Sequence, residues 1–273
     1  MVQLVGPNTK NCLTTTTLSL QNIFRVFQGA NLPKKAWVLI ADESDSQWIS
    51  AKTEELLLPY QRQYSNNQQV SPSSVNNSSE AVLWIQNPCS ATDEVMISGG
   101  AIAHGFTHAI QKFQFLGARQ GWGSWGNVPR WLLEGGATFS EVFITYGSDY
   151  RTWISQPPFR NQDLKKYDLQ FYKDFLLVKT IPGSEGLWAY TNQWPNQRVY
   201  DIGAHVCDVL IAMKGPTSVI NLYTEFAKIG DFDQAFKNIF GITWTQAHPY
   251  VAQATYESVN WLLDPDSDLL NGK

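Results

Sequence analysis

Two histidines four positions apart, His104 and His108, constrain this chain more than any other feature. Side chains at i and i+4 are neighbours on one face of an α-helix, whereas on a strand the same two residues stand about 13 Å apart. The run Ala103-His104-Gly105-Phe106-Thr107-His108-Ala109-Ile110-Gln111 must therefore be helical if both imidazoles are to grip one ion. Its surroundings allow this, because the apolar spacing is helical from Asp93 to about Phe115, and Gly99 and Gly100 permit close packing one turn earlier. A catalytic tetrahedral metal takes three protein donors and keeps one position open for water. The third donor has to come from another element. Pro129 opens the next predicted helix as a first-turn proline, and Glu134 stands on it, 26 positions after His108. That spacing lets the first helix end, a loop reverse and a second helix return. Gly135, Gly136 and Ala137 would let the second helix pack closely against the first.

The rest of the chain reads as α+β. Thr14 to Phe27 is a first helix, and Ala36 to Ala41 is a short apolar run expected as a buried strand. A helix capped by Ser44 or Ser46 ends near Leu58-Pro59, and the second strand is Glu80 to Ile85. Tyr60 to Ser79 is polar and rich in turn formers, which suggests an excursion. Gly117 to Asn127 is a loop rich in Gly and Trp. Helices are expected near 168–178, 197–213, 216–228, 231–240 and 245–262. A small N-terminal sheet with helices over residues 1–115 would be followed by a largely helical subdomain over 116–273, the two making one unit.

Composition narrows the partners. Charged residues make up 16% of the chain, below the roughly 25% of ordinary soluble domains. A surface of Asn, Gln, Ser and Thr favours a secreted or cell-surface protein, although no signal peptide heads this sequence. The net charge of −4, without a basic cluster, argues against nucleic acid and anionic membranes as partners. No apolar stretch approaches the ~18 residues of a transmembrane helix. Cys207, among Val206, Val209 and Leu210, reads as a buried thiol, and Cys12 and Cys89 could pair in an oxidising compartment.

Each candidate has an ordinary alternative. An isolated H-x-x-x-H is more often chance than a metal site, and Glu134 alone could pair with Arg119 or Arg130. His205 is a candidate for a substrate cleft, or else a helical histidine with its hydrogen bonds met. His248, before Pro249, reads as structural. Trp122, Trp125 and Trp131 could form a wall that binds peptide or sugar faces, or a tryptophan lid over a small core.

Taken in order, HGFTH and Trp131-Leu132-Leu133-Glu134-Gly135-Gly136-Ala137 resemble the gluzincin metallopeptidases, whose pattern is H-E-x-x-H followed by W-L/N-x-E-G-x-A. The motif order is closest to the aminopeptidase N branch. Glu141, seven positions after Glu134, and Tyr200-Asp201-Ile202-Gly203, a match to Y-x-x-G, extend the resemblance over roughly Val95 to Ala227. It implies a zincin-like fold, zinc held by His104, His108 and Glu134, and a peptide or protein as substrate or ligand. It further implies that Glu141 orients a ligand and that Tyr200 steadies the oxyanion. The chain departs from the pattern at three points. Gly105 stands where the general base should be, the gap from His108 to Glu134 is long for that branch, and no motif for gripping a free amino terminus is present.

Loss of a positioned general base costs about 10²–10⁴-fold in rate. The expectation is therefore a zinc metallopeptidase-like domain with impaired or lost hydrolysis, the alternative being a non-catalytic peptide- or glycan-binding module on the same scaffold. Gly is also a poor helix residue, roughly 1 kcal/mol worse than Ala in an interior position, and local structure gives no reason to prefer it at 105.

Overall fold

The run Lys35–Ala41 forms strand β2, and Val38, Leu39, Ile40 and Ala41 are all fully buried. Successive strand residues point to opposite faces, so four buried in a row means that both faces are covered. In the computed structural model, residues 1–13, 16–58, 69–71, 75–76, 79–89, 99–118, 128–147, 149–156, 158–177 and 198–263 are described. The chain is mixed α/β and mostly helical. It divides into two compact units, Met1–Phe113 and Gln114–Lys273.

The first unit is built on a small sheet. Strand β1 (Val2–Val5) lies parallel to β2, with Val2 opposite Trp37, and β5 (Glu80–Gln86) lies parallel on the other side of β2, with Leu39 opposite Trp84. Two short strands, β3 (Gln69–Ser71) and β4 (Val75–Asn76), pair antiparallel with β5. They fall in the stretch read from sequence as a polar excursion. Their β-propensity is poor, and only pairing with an apolar neighbour strand makes them strands.

Helix α1 spans Thr16–Val26 and α2 spans Ser46–Glu55. Leu39, Ala41, Val82 and Trp84 pack with Ile49 and Leu58, and the Trp84 indole donates to Thr53 Oγ1 at 3.2 Å. Neither Ser44 nor Ser46 caps the entry to α2. Asp42 instead accepts from the Ser44 amide and opens a 3₁₀ turn, because its carboxylate reaches that orphan N–H first.

Asp45, 2% exposed, ties the loop after β1 to the loop after β2. Its carboxylate accepts from Asn8 N (2.8 Å), Asn8 Nδ2 (3.0 Å) and Thr9 Oγ1 (2.6 Å). Burial would push the acid up, but these donors outweigh it and hold the Asp45 carboxyl below its ordinary range. A disulfide between Cys12 and Cys89 joins the loop after β1 to the loop after β5. Helix α3 (Gly100–Phe113) completes the unit and packs on α1, with Phe24 edge-on to Phe106 at 5.5 Å.

The second unit is helical: α4 (Arg130–Tyr146), α5 (Tyr150–Ile154), α6 (Leu169–Leu177), α7 (Arg198–Lys214), α8 (Ser218–Ile229), α9 (Phe232–Phe240) and α10 (Trp244–Leu262). Helices α8 and α9 both stop at a left-handed glycine, Gly230 and Gly241. Helix α10 starts on a capping box between Thr243 and Gln246. Pro249 sits inside it and has no N–H to offer the Thr245 carbonyl, and His248 Nδ1 donates to that carbonyl at 2.9 Å instead. His248 is thus structural. Trp131 is fully buried, stacked on Trp244 at 4.9 Å and edge-on to Phe232, so it belongs to the core of this unit rather than to a binding wall.

Helices α4 and α7 cross with backbone against backbone. A Cβ on Gly135 would lie 2.2 Å from the Gly203 carbonyl carbon, and one on Gly203 would lie 2.3 Å from the Trp131 carbonyl oxygen. The sequence reading assigned Gly135 to packing against the histidine helix. In the structure its open side faces Gly203 on α7, where backbone meets backbone. Among the described residues no helix is long and apolar enough to cross a membrane.

Candidate metal centre

His104 and His108 lie one turn apart on α3, as the helical reading requires, with His108 only 4% exposed. Their Nε2 atoms are 3.2 Å apart, and their ring planes are inclined by 80°. Two nitrogens bound to one tetrahedral zinc at 2.0–2.1 Å stand about 3.4 Å apart. The separation of the two nitrogens is therefore close to that of two ligands of one ion. His108 Nδ1 lies 2.7 Å from Gln111 Oε1. Gly105 is buried on the same helix.

Glu134 is in the second turn of α4 and 6% exposed. One donor atom each from His104, His108 and Glu134 lies within 4.8 Å of the others, so this group could hold a metal ion. Glu134 Oε1 also pairs with Arg130 Nη2 at 2.6 Å, the ion pair that the sequence offered as the alternative to ligation. A carboxylate has two oxygens and about four acceptor sites, so the two roles are compatible.

Tyr200 comes to the same carboxylate from α7, and its hydroxyl hydrogen bonds with the side chains of Glu134 and Arg130. Burial first, and then the negative charge of Glu134, push the phenol above its ordinary range, with Arg130 partly offsetting them. The phenol therefore stays protonated and remains a hydrogen-bond donor. The crossing at Gly135 and Gly203 makes this meeting possible, since each glycine lies within one turn of the polar residue it brings in.

The first turn of α7 is pinned as well. Asp201, 3% exposed, accepts from Asn161 Nδ2 at 2.7 Å and from Arg198 Nη1 at 2.9 Å. Arg198 reaches Asp163 at 3.5 Å with its other terminal nitrogen. Neither Asn161 nor Arg198 was legible as part of this arrangement. Only the acidic residue in the first turn of a helix hinted at it.

No family model matches the chain, and no curated protein or solved structure matches it.

The remaining candidates fall elsewhere. Glu141 is half-buried on α4, two turns beyond Glu134. Trp122 and Trp125 lie outside the described residues. His205, a candidate for the substrate cleft, is fully buried with its ring edge-on to Phe159 at 4.8 Å. Neither of its nitrogens has a hydrogen-bond partner among the described residues. Burial drives its pKa down to about 3, so the ring is neutral. It is neither a cleft residue nor a histidine with its hydrogen bonds met. Helical periodicity could not separate these cases, because α7 is buried on more than one face. Gln111 went unremarked in the sequence, although its i+3 position relative to His108 put it within reach.

Proposed function

We propose that this chain is a zinc metallopeptidase-like domain of the zincin type, with His104, His108 and Glu134 as zinc ligands and with hydrolysis impaired or lost. The observation that carries this reading is the convergence of two imidazoles and one carboxylate, in the motif order HGFTH then WLLEGGA. Two neutral imidazoles and a carboxylate form a donor set suited to zinc. A bound zinc would polarise a carbonyl and make water more acidic.

The chain's own residues set the limits. Tyr200, whose hydroxyl meets Glu134 and Arg130, is assigned the donation of a hydrogen bond to an oxygen that gains negative charge. Arg130 holds one oxygen of Glu134 and fixes the carboxylate plane. Gly105 supplies no proton acceptor where the helix would aim a glutamate at attacking water, so the acid–base part of the reaction is missing. Glu141 is assigned a supporting contact to a ligand. Peptide or protein is the proposed substrate class. The exposed Cys12–Cys89 disulfide supports an extracellular setting, since such bonds persist in oxidising compartments.

The experiment is elemental analysis together with a peptidase assay on the chain, His104→Ala and Gly105→Glu. The chain should carry about one zinc, His104→Ala none, and Gly105→Glu should raise the hydrolysis rate by roughly 10²–10⁴-fold. Zinc bound in full with no gain from Gly105→Glu would sink the peptidase reading. Gly105 itself favours the second reading, a peptide- or glycan-binding module, which that result would leave standing.

A further inference from the structure

Arg130 is placed against the interest of its own helix. It is the first residue of α4, directly after the cap Pro129. A cation there meets the positive end of the backbone dipole, and an i,i+4 ion pair with the basic residue first is the weaker of the two orientations. Its Nε–H is also buried without a hydrogen-bond partner, which adds a further cost. Local helix stability therefore does not explain Arg130, but the contact it makes does. Nη2 lies 2.6 Å from Glu134 Oε1, with the carboxylate side chain 7% exposed and the guanidinium side chain 20%. The Tyr200 hydroxyl hydrogen bonds with both side chains. All three residues belong to the helical unit, so the arrangement is complete within it.

We infer that Arg130 is a built-in cation for Glu134, one that keeps the metal-free site folded and weakens its hold on a metal ion. The second half rests on the proposed reading of Glu134 as a zinc ligand. A buried carboxylate needs a positive partner. Glu134 has other partners, Tyr200 among them, but a guanidinium brings a charge that stays at every working pH. In the metal-free chain Arg130 supplies that charge. In the zinc-loaded chain the same carboxylate has a second source of positive charge, so Arg130 contributes less there than in the empty form. By linkage, a group that stabilises the empty form more than the loaded one lowers the affinity for the ion. The site is thereby built to release its ion without unfolding. A residue that served only to orient the carboxylate would act with the opposite sign, because an oriented ligand binds metal better.

The test uses the full chain with Arg130→Met, which drops the charge, and Arg130→Lys, which keeps it. Chelator competition reads zinc affinity, and thermal melting with and without zinc reads the two forms. Arg130→Met should melt below the wild type when metal-free, recover most of that loss in excess zinc, and bind zinc about 10–100-fold more tightly. Arg130→Lys should stay near the wild type in all three measurements. In a Glu134→Gln background, Arg130→Met should lower the metal-free melting temperature far less, since the charge it serves is gone.

Zinc affinity unchanged or lower in Arg130→Met, with the wild type loading zinc, overturns the inference and leaves the zinc site standing. So does an Arg130→Met chain that stays unfolded in excess zinc, which would assign Arg130 to the fold alone. If neither the wild type nor Arg130→Met binds zinc, the metal reading itself fails and the inference falls with it. An Arg130→Met chain that binds zinc where the wild type binds none supports the inference.

Discussion

The two units differ in how completely their buried polar groups are partnered. In the first, Asp45 accepts three hydrogen bonds from Asn8 and Thr9, Thr53 bridges Ile49 and Trp84, and Thr107 returns its hydroxyl to Ala103. In the second, Thr138, Thr145, Thr255, Trp131, Arg130, Arg198 and His205 each bury at least one side-chain nitrogen or oxygen without a partner among the described residues. The first unit closes its loops around a sheet, where short connections bring polar side chains to backbone ends. The second is helix on helix, where every backbone donor in a helix interior is already used and a buried hydroxyl can only donate to a carbonyl, as Ser140, Ser218 and Tyr223 do. One half adds a covalent tie to an apolar core with satisfied polar contacts. The other mixes satisfied polar groups such as Asp201 with unpartnered ones inside its apolar packing.

The largest expected effect tests the covalent tie. Cys12 and Cys89 are separated by 77 residues, and a loop of that length is worth about 4 kcal/mol in chain entropy. Reduction, or the Cys12→Ser/Cys89→Ser pair, should lower the denaturant midpoint of the first unit's transition and leave the second unit's unchanged. A uniform shift of both would erase the contrast.

Next comes the packing of the second unit. Gly135→Ala puts a methyl group into the Gly203 backbone, so it should cost roughly 1–3 kcal/mol, read as a lower melting temperature. It should also move Tyr200 away from Glu134.

The smallest effect, taken over a single pH unit, is a pH dependence. His205 has a folded pKa of about 3, below the ordinary value of about 6.5, so its contribution is fully present above pH 6.5. It is lost as pH falls toward 3, because the unfolded chain binds a proton that the folded chain refuses. His205→Phe should therefore gain stability relative to the wild type by about 1.4 kcal/mol per pH unit below 6.5, in urea titrations at stepped pH. Asp208, whose half-buried carboxyl is raised to about 6 by burial, acts with the opposite sign between pH 6 and its ordinary value. It masks the slope in the wild type, so the difference between the two proteins is the quantity to measure.

What could be read from the sequence follows the same division. HGFTH was legible because its geometry is local, one turn of a single helix. Strands β2 and β5 were legible because a short run with every residue apolar has few other uses. Strands β3 and β4 were not, since pairing rather than propensity makes them. Gly135 was read as a packing residue but given the wrong partner, because a glycine in a helix shows that something comes close without showing what. His205 was misplaced for a related reason, since a helix buried on several faces has no periodic stripe to point outward. The disulfide was left open because spacing along a chain does not fix the distance between its ends.

The meeting of Gly135 with Gly203 also has a bearing on descent. Each glycine belongs to a stretch that would be counted as catalytic vocabulary, one next to Glu134 and the other three positions after Tyr200, yet the fold would demand both even in a protein that never cleaves anything. A lineage that had abandoned turnover at position 105 would still be obliged to spell those words correctly. Finding both glycines in place therefore reports close helix packing and carries no information about turnover.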